Sequence, residues 1–265
     1  MSQTSNLQRQ AKLSDSCFSI RTQMERLPLQ ATNIDALVSP CDKCEARSHS
    51  ACALLDPSEQ KQIVSIMTTV QIAPQQPLFD EAEPAEHVYN VTGGALKIYK
   101  LLPDGRRQIT GFLFPGDFVG LMHNDVYAYS AEALVPTALC RFSRRRLEDL
   151  LSEIPHLEQR LLGMASHELA AAQDQMILLG RKSARERVVS FLVMLSNSAV
   201  RRHQPADPVS LPMNRTDIAD YLGLTIETVS RTFTQLKKQG LIQLLDDKNI
   251  HLAKPAALRD IATGF

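Results

Sequence analysis

The sequence of 265 residues contains no tryptophan, and aromatic residues make up only 5% of it. Proteins that bind single-stranded nucleic acid stack bases on aromatic rings, so this class is disfavoured. No apolar stretch approaches the ~20 residues that a transmembrane helix requires. The N-terminus has neither the apolar core nor the cleavage site of a signal peptide. We therefore expect a cytoplasmic protein that does not associate with membranes.

The sequence also lacks net charge, since 29 Lys and Arg residues balance 29 Asp and Glu residues. The charges are unevenly distributed, however. Residues 1–180 contain 16 basic and 21 acidic residues, whereas residues 181–254 contain 12 basic and 7 acidic residues. An excess of basic residues favours phosphate binding, so the C-terminal third is the candidate nucleic-acid-binding region. The chain length allows about two domains.

The first half of the chain has the pattern of a β-domain. Residues 70–146 consist of short apolar or alternating segments, which predict a β-sandwich or barrel-like domain. Before it, residues 56–59 have the pattern of a helix cap and predict a helix through about Met67. The turn residues between the segments lie at 93–94, 103–105 and 115–117.

A long helix is predicted from Pro155 to Gly180, because proline is tolerated in a first turn and no other proline follows. Along it, apolar residues recur every three and four positions, the spacing of a coiled-coil seam. This spacing leaves open whether the helix pairs with a second helix or packs on its own domain. Two alanines on the seam favour close pairing. The seam residues are Leu162, Ala165, Leu169, Ala172, Met176 and Leu179.

The C-terminal third has the pattern of a helix-turn-helix motif. Asn214 can cap a helix over residues 215–222, and Thr225 can cap a second helix over residues 226–239. Gly223 ends the first helix and Gly240 the second.

Two flanking predictions complete this region. Ser183 and Glu186 form a capping-box pattern for a helix to about Ser198, followed by a loop over residues 201–212. After the motif, residues 241–252 predict a small hairpin, so the module is a winged helix-turn-helix. We expect Asp246 and Asp247 in its turn to point away from DNA, because carboxylates repel phosphate.

In this motif the second helix enters the major groove, where we predict that Glu227, Ser230 and Arg231 contact bases. Arg can donate two hydrogen bonds to guanine, and Glu can accept one from cytosine. Alone, Glu227 and Arg231 would equally suit a surface pair one turn apart. Donors around them favour DNA binding, and the predicted phosphate contacts are Arg215, Thr216, Thr225, Thr228, Lys237 and Lys238.

Cysteines form a second constellation. Cys41, Cys44 and Cys52 have the spacing C-x2-C-x7-C, and Cys140 could complete a four-thiolate set from the β-domain. Thiolates suit zinc or an iron–sulfur cluster, and the spacing does not decide between them. Cys140 could alternatively be a buried core thiol. Cys17 lies apart and is expected to be a free thiol.

No catalytic constellation accompanies these features. The sequence shows no nucleophile–base arrangement, no glycine-rich phosphate loop and no histidine-rich metal triad. We therefore predict that the protein is not an enzyme.

Together, these parts resemble the CRP/FNR superfamily of bacterial transcription regulators over residues 40–255. The likeness is greatest to the oxygen-sensing FNR group, in the branch with C-x2-C-x7-C cysteines as in FnrN and FnrL regulators. The resemblance is carried by the four cysteines and by residues 108–112, 115–117, 176–179 and 221–231.

The resemblance implies an α+β fold with an N-terminal β-roll sensor domain like those that bind cyclic nucleotides, a dimerisation helix and a C-terminal winged helix-turn-helix. It implies one [4Fe–4S] cluster per chain, held by Cys41, Cys44, Cys52 and Cys140, and a TTGAT-type half-site read by the second helix. The implied divisions are a flexible tail (1–40), the cysteine loop with the β-roll (41–150), the dimerisation helix (151–181) and the DNA-binding domain (182–265).

This chain also departs from some similar proteins. Residues 116–130 contain no Arg to hold a cyclic phosphate, so we expect no cyclic nucleotide. Ala172 stands on the seam where members with a shorter cysteine loop have an acidic residue, so we expect oxygen to dissociate this dimer less completely.

The expected function is an oxygen-responsive regulator. A homodimer with an intact cluster binds a palindromic operator in double-stranded DNA, and cluster loss weakens dimerisation and DNA binding. RNA polymerase is an expected partner. Similar loops in the family contact it, but the turn at residues 104–106 is better interpreted as a solvated hairpin tip. The alternative is a zinc-stabilised or thiol-redox regulator with the same DNA-binding module.

Overall fold

The computed structural model describes residues 41, 44–121 and 125–264. The predicted tail 1–40, with Cys17, lies outside these residues. Two short 3₁₀ turns, Glu45–His49 and Ala51–Leu54, come first. Helix α1 (Pro57–Ser65) begins with the expected capping box, in which Asp56 and Glu59 bond each other's backbone N–H groups. It ends before the predicted Met67, because Met67 is the first residue of a strand.

Eight strands form two four-stranded antiparallel sheets, which confirms the predicted β-sandwich. Aliphatic side chains such as Val70, Val91, Leu96 and Leu139 are buried between them. The first sheet has the order β1 (Met67–Ile72), β8 (Thr137–Ser143), β3 (His87–Gly93) and β6 (Phe118–Val119). The second has the order β2 (Pro77–Phe79), β7 (Ser130–Ala133), β4 (Leu96–Leu101) and β5 (Arg107–Leu113).

Two helices follow the sandwich. Helix α2 (Arg144–Glu153) was not predicted and precedes the long helix α3 (Pro155–Arg181), whose 27 residues confirm the predicted span. Pro155, the first residue of α3, has no N–H to donate, so it separates the two helices. The start of α3 packs against α2 and the cysteine-bearing turns in one hydrophobic cluster.

The C-terminal part confirms the winged helix-turn-helix. It contains helices α4 (Ala184–Arg201), α5 (Arg215–Leu222), α6 (Ile226–Lys238) and α7 (Pro255–Thr263). Helix α4 extends three residues beyond its predicted end, and α7 was not predicted. Strand β9 (Val209–Ser210) lies within the predicted loop and joins β10 (Gln243–Leu244) and β11 (Asn249–His251) in one sheet, in the order β10-β11-β9.

Glycine defines the turn between α5 and α6. Asn214 and Asp217 form a capping box at the start of α5, and Thr225 caps α6 through the N–H of Thr228. Gly223 has φ 61°, a left-handed conformation that residues with a Cβ adopt only with strain. The motif is therefore encoded locally, by caps and a glycine.

Candidate thiol pocket and DNA-binding surface

The four predicted cysteine ligands line one small pocket between the 3₁₀ turns and the first sheet. Cys44 immediately precedes the first turn, and Cys52 lies in the second. Cys140 lies in the middle of β8, opposite Thr69 of β1 and Asn90 of β3. Two of the predicted ligands, Cys44 and Cys52, thus lie at or in short 3₁₀ turns, whereas Cys140 is held by hydrogen-bonded strands on both sides.

Small side chains position the segment that carries the first three cysteines (residues 41–55, the cysteine segment). Ala46 and Ala51 are fully buried, which anchors both turns. Ser50 is buried between them; its hydroxyl donates to the backbone oxygen of Arg47 and accepts the N–H of Cys52. The spacing between Cys44 and Cys52 therefore corresponds to two compact turns rather than an extended loop.

Burial disfavours charge on the pocket thiols. Together with the neighbouring Cys41 and Cys44, it raises the pKa of Cys52 to about 11. Burial and the same neighbours also raise the pKa of Cys140 strongly. Since metals bind thiolates, a positively charged centre in the pocket would stabilise the ionised form and release protons.

The donor set of the pocket is thiol-rich. Its remaining polar lining includes Asn90, whose buried Oδ1 has no hydrogen-bond partner in the described part of the chain. Within that part, no three His, Cys, Asp or Glu side chains are arranged to hold a single metal ion. Thiolates are soft ligands, so soft metals are the ones that this donor set suits.

The long helix presents an open apolar stripe. Leu162, Leu169 and Met176 are 67%, 63% and 71% exposed, and Ala165 and Ala172 are exposed as well. These five residues therefore do not pack on the core of their own chain. Leu179, the sixth predicted seam residue, differs because it is half-buried against the C-terminal core.

Helix α6 has one buried and one exposed face. Val229, Phe233 and Leu236 are buried, whereas the predicted base-contacting residues are all exposed. A hydrogen bond from its own backbone N–H, and another with the side chain of Thr225, lower the pKa of the Glu227 carboxyl. Glu227 is therefore ionised at neutral pH. The exposed group is Glu227, Ser230 and Arg231.

Most of the predicted phosphate contacts also face outward. Arg215 differs: its guanidinium lies over the Phe233 ring, 3.6 Å from the centroid. Its Nη1 is buried without a hydrogen-bond partner among the described residues, and burial lowers its pKa. Arg215 thus also joins α5 to α6. Thr228 is half-buried, and the exposed members are Thr216, Thr225, Lys237 and Lys238.

Comparisons with known proteins agree with this architecture. Family profiles match for the cyclic nucleotide-binding domain over residues 69–153 and the Crp-like helix-turn-helix domain over residues 186–261. The transcriptional activatory protein AadR of Rhodopseudomonas palustris is 43% identical over 204 residues, covering 77% of this chain and 85% of AadR. This chain belongs to the CRP/FNR family of transcription regulators.

Other CRP/FNR regulators extend the likeness. The transcriptional activator protein FnrL of Cereibacter sphaeroides is 34% identical, covering 86% of this chain and 94% of FnrL. The solved structure of FixK2 from Bradyrhizobium japonicum is 39% identical, with a TM-score of 0.70, covering 74% of this chain and 97% of FixK2. The chain is thus a regulator and not an enzyme, as predicted. None of its described helices is long and apolar enough to span a membrane.

This CRP/FNR regulator has a cavity of about 270 Å³ between the sandwich and α3. Asp117 and Glu168 line it, and burial raises the pKa of both carboxyls. No Lys or Arg is among the described lining residues. The sequence prediction did not include Glu168, because its position on α3 gives no local signal of a cavity.

Proposed function

We propose that this chain is an oxygen-responsive transcription regulator of the C-x2-C-x7-C branch. Its dimer, with one [4Fe–4S] cluster on Cys41, Cys44, Cys52 and Cys140, binds a palindromic TTGAT-type operator. The observation that carries this proposal is the meeting of four cysteines, from a local segment and a distant strand, in one pocket.

The cysteine spacing favours a cluster over zinc, because it resembles that of the branch whose members hold a [4Fe–4S] cluster. A structural zinc ion draws four ligands around one point, whereas a four-iron cluster takes a thiolate at each of four separate iron atoms. The four thiols of the pocket could supply either set of ligands. When bound, such a cluster supplies an oxygen-sensitive redox centre.

The packing of the cysteine segment supports a link to dimerisation. Ala51 and Leu55 share a hydrophobic cluster with Leu157 and Leu161 at the start of α3, and Cys52 packs against the same cluster. When the thiols of this segment are unligated, its packing on α3 loosens and pairing along the exposed seam weakens. DNA affinity falls in consequence, because a monomer makes only half of the contacts.

The exposed face of α6 supports the DNA-binding step. In a symmetric dimer the two recognition helices address half-sites about one helical turn apart, so a palindromic operator is expected. We assign base reading to Glu227, Ser230 and Arg231. The names of AadR and FnrL as activators support RNA polymerase as a further partner.

Metal analysis tests the sensor directly. Iron, acid-labile sulfide and zinc are measured per chain in protein purified without oxygen, and again after air is admitted. We expect about four iron and four sulfide per chain, lost in air. Cys52→Ser should lower both contents and abolish oxygen-dependent DNA binding, whereas Cys17→Ser, outside the proposed ligand set, should change neither. Stoichiometric zinc, no metal, or an oxygen response retained in Cys52→Ser would contradict the cluster.

A further inference from the structure

The helix-turn-helix is joined to the long helix by a very short connection. Helix α3 ends at Arg181 and α4 begins at Ala184, so only two residues separate them. Rotation about such a link can reorient a whole domain unless other contacts prevent it. The orientation of the DNA-binding module on the sensor domain is therefore set by non-covalent contacts.

A buried ion-pair network joins the sandwich to α5. The ammonium nitrogen of Lys97, on β4, lies 2.9 Å from Asp217 Oδ1 and 2.8 Å from Glu132 Oε1. The side chains of Lys97 and Asp217 are only 6% and 3% exposed. Arg107, on β5, lies 3.3 Å from Asp217 and 2.9 Å from Asp220. Both cations come from the sensor domain, and both aspartates come from the first helix of the DNA-binding motif.

Asp217 also takes part in the N-terminal cap of α5, so the ion pair with Lys97 holds the start of that helix. Its Oδ2 accepts the backbone N–H of Asn214, which caps the start of α5. At the other end of α5, the backbone oxygen of Tyr221 accepts hydrogen bonds from Gln108 of β5 and Gln175 of α3. Helix α5 is thus held at both ends by residues outside its own domain, and α6 packs on α5.

We propose that Lys97 is a positioning residue for DNA recognition, which acts through Asp217 to fix the helix-turn-helix on the sensor domain. In the dimer this contact sets the distance between the two recognition helices, and hence the half-site spacing that the protein accepts. Without Lys97, Asp217 is a buried carboxylate that has lost its closest cation, so the docking of α5 is weakened. The inference rests on the proposed dimer, so the protein is kept without oxygen and its dimeric state is checked by sedimentation before DNA is added.

The test compares Lys97→Met with Lys100→Met. Lys100 lies on the same strand but is 52% exposed, and it pairs with Glu81 on the surface. The probe is a palindromic duplex that the wild-type protein selects from a random pool. If the selected half-site is not TTGAT, the operator proposal is wrong, but the spacer test can still be carried out. Affinities are measured by fluorescence anisotropy for the selected spacer, for spacers longer or shorter by one base pair, and for duplexes with a changed half-site base.

We expect the wild type and Lys100→Met to prefer one spacer by about tenfold or more, because two rigidly held helices match one separation. Lys97→Met should lose most of this preference but keep its discrimination between half-site bases. A role in fold stability alone would lower the melting temperature and leave the spacer preference intact. Wild-type spacer preference in a folded Lys97→Met protein, or an equal loss in Lys100→Met, would overturn the proposal.

A milder pair of variants covers the case in which Lys97→Met does not fold. Arg107→Gln removes a cation that is 25% exposed, with Arg106→Gln, 76% exposed, as its control. Arg107→Gln should weaken the spacer preference in the same direction, and an unchanged preference would overturn the proposed docking contact.

Discussion

Ala51, the residue before Cys52, and Leu161, in the second turn of α3, are buried in the same hydrophobic cluster. The first belongs to the segment that carries three of the four pocket thiols, and the second to the helix that carries the dimer seam. Because interiors are close-packed, a change in the cysteine segment cannot occur without a response in the start of α3.

Two neighbouring leucines of α3 face opposite environments, one the core of its own chain and the other the proposed dimer seam. Leu161 is 6% exposed and Leu162 is 67% exposed. Leu161→Ala should lower the free energy of unfolding by about 2–5 kcal/mol, because it leaves a cavity in the core. Leu162→Ala should leave stability nearly unchanged but weaken the dimer. Chemical denaturation and sedimentation equilibrium measure the two effects; equal destabilisation by both would contradict this division.

A charge on the seam should oppose dimerisation. Ala172→Asp places two like charges across the dimer axis, and we expect the dimer dissociation constant to rise by about tenfold or more. Ala171→Asp adds the same charge to an exposed position beside the seam and serves as the control. Sedimentation equilibrium at fixed salt concentration provides the measurement. Similar constants for both variants would exclude Ala172 from the interface.

Arg231 should determine sequence preference. Arg231→Ala is expected to cost about 1–3 kcal/mol of binding free energy at the guanine of the half-site and to relax specificity at that base pair. Thr234→Ala, one turn further along α6, is the control. Competition binding with single-base operator variants measures the effect. Uniform weakening on all sequences would instead assign Arg231 to a phosphate.

Lys238 should contribute to affinity without contributing to specificity. If it neutralises one phosphate, Lys238→Ala reduces the slope of log affinity against log salt concentration by about one unit. Lys61→Ala removes an exposed lysine from the sensor domain and should leave the slope unchanged. Salt titrations of operator binding measure both, and an unchanged slope in Lys238→Ala would exclude the contact.

The cavity beside α3 should not accept cyclic AMP. A cyclic phosphate would meet Asp117 and Glu168 with no Lys or Arg among the described lining residues, so no cation in direct contact would compensate its charge. We expect no heat of binding by calorimetry and no shift of the melting temperature at millimolar nucleotide. A saturable shift would show that another group neutralises the phosphate.

Local signals in the sequence were sufficient for most of the helices and for the helix-turn-helix. Asp56, Ser183, Asn214 and Thr225 cap helices where predicted, because a cap satisfies backbone N–H groups within a few residues of itself. Gly223 likewise breaks the motif through its own backbone conformation. Helices α2 and α7, which lack such side-chain caps, were missed.

The sequence by itself determined which cysteines could form a set and which face of α3 is apolar, since both follow from spacing along the chain. Only the tertiary structure brought Cys140 to the pocket, because the register of β8 between β1 and β3 depends on residues distant in sequence. The same holds for Lys97 and Asp217, 120 positions apart. A lysine in a strand and an aspartate in a helix are ordinary surface residues by pattern, and burial by the other domain is what makes them a contact between domains.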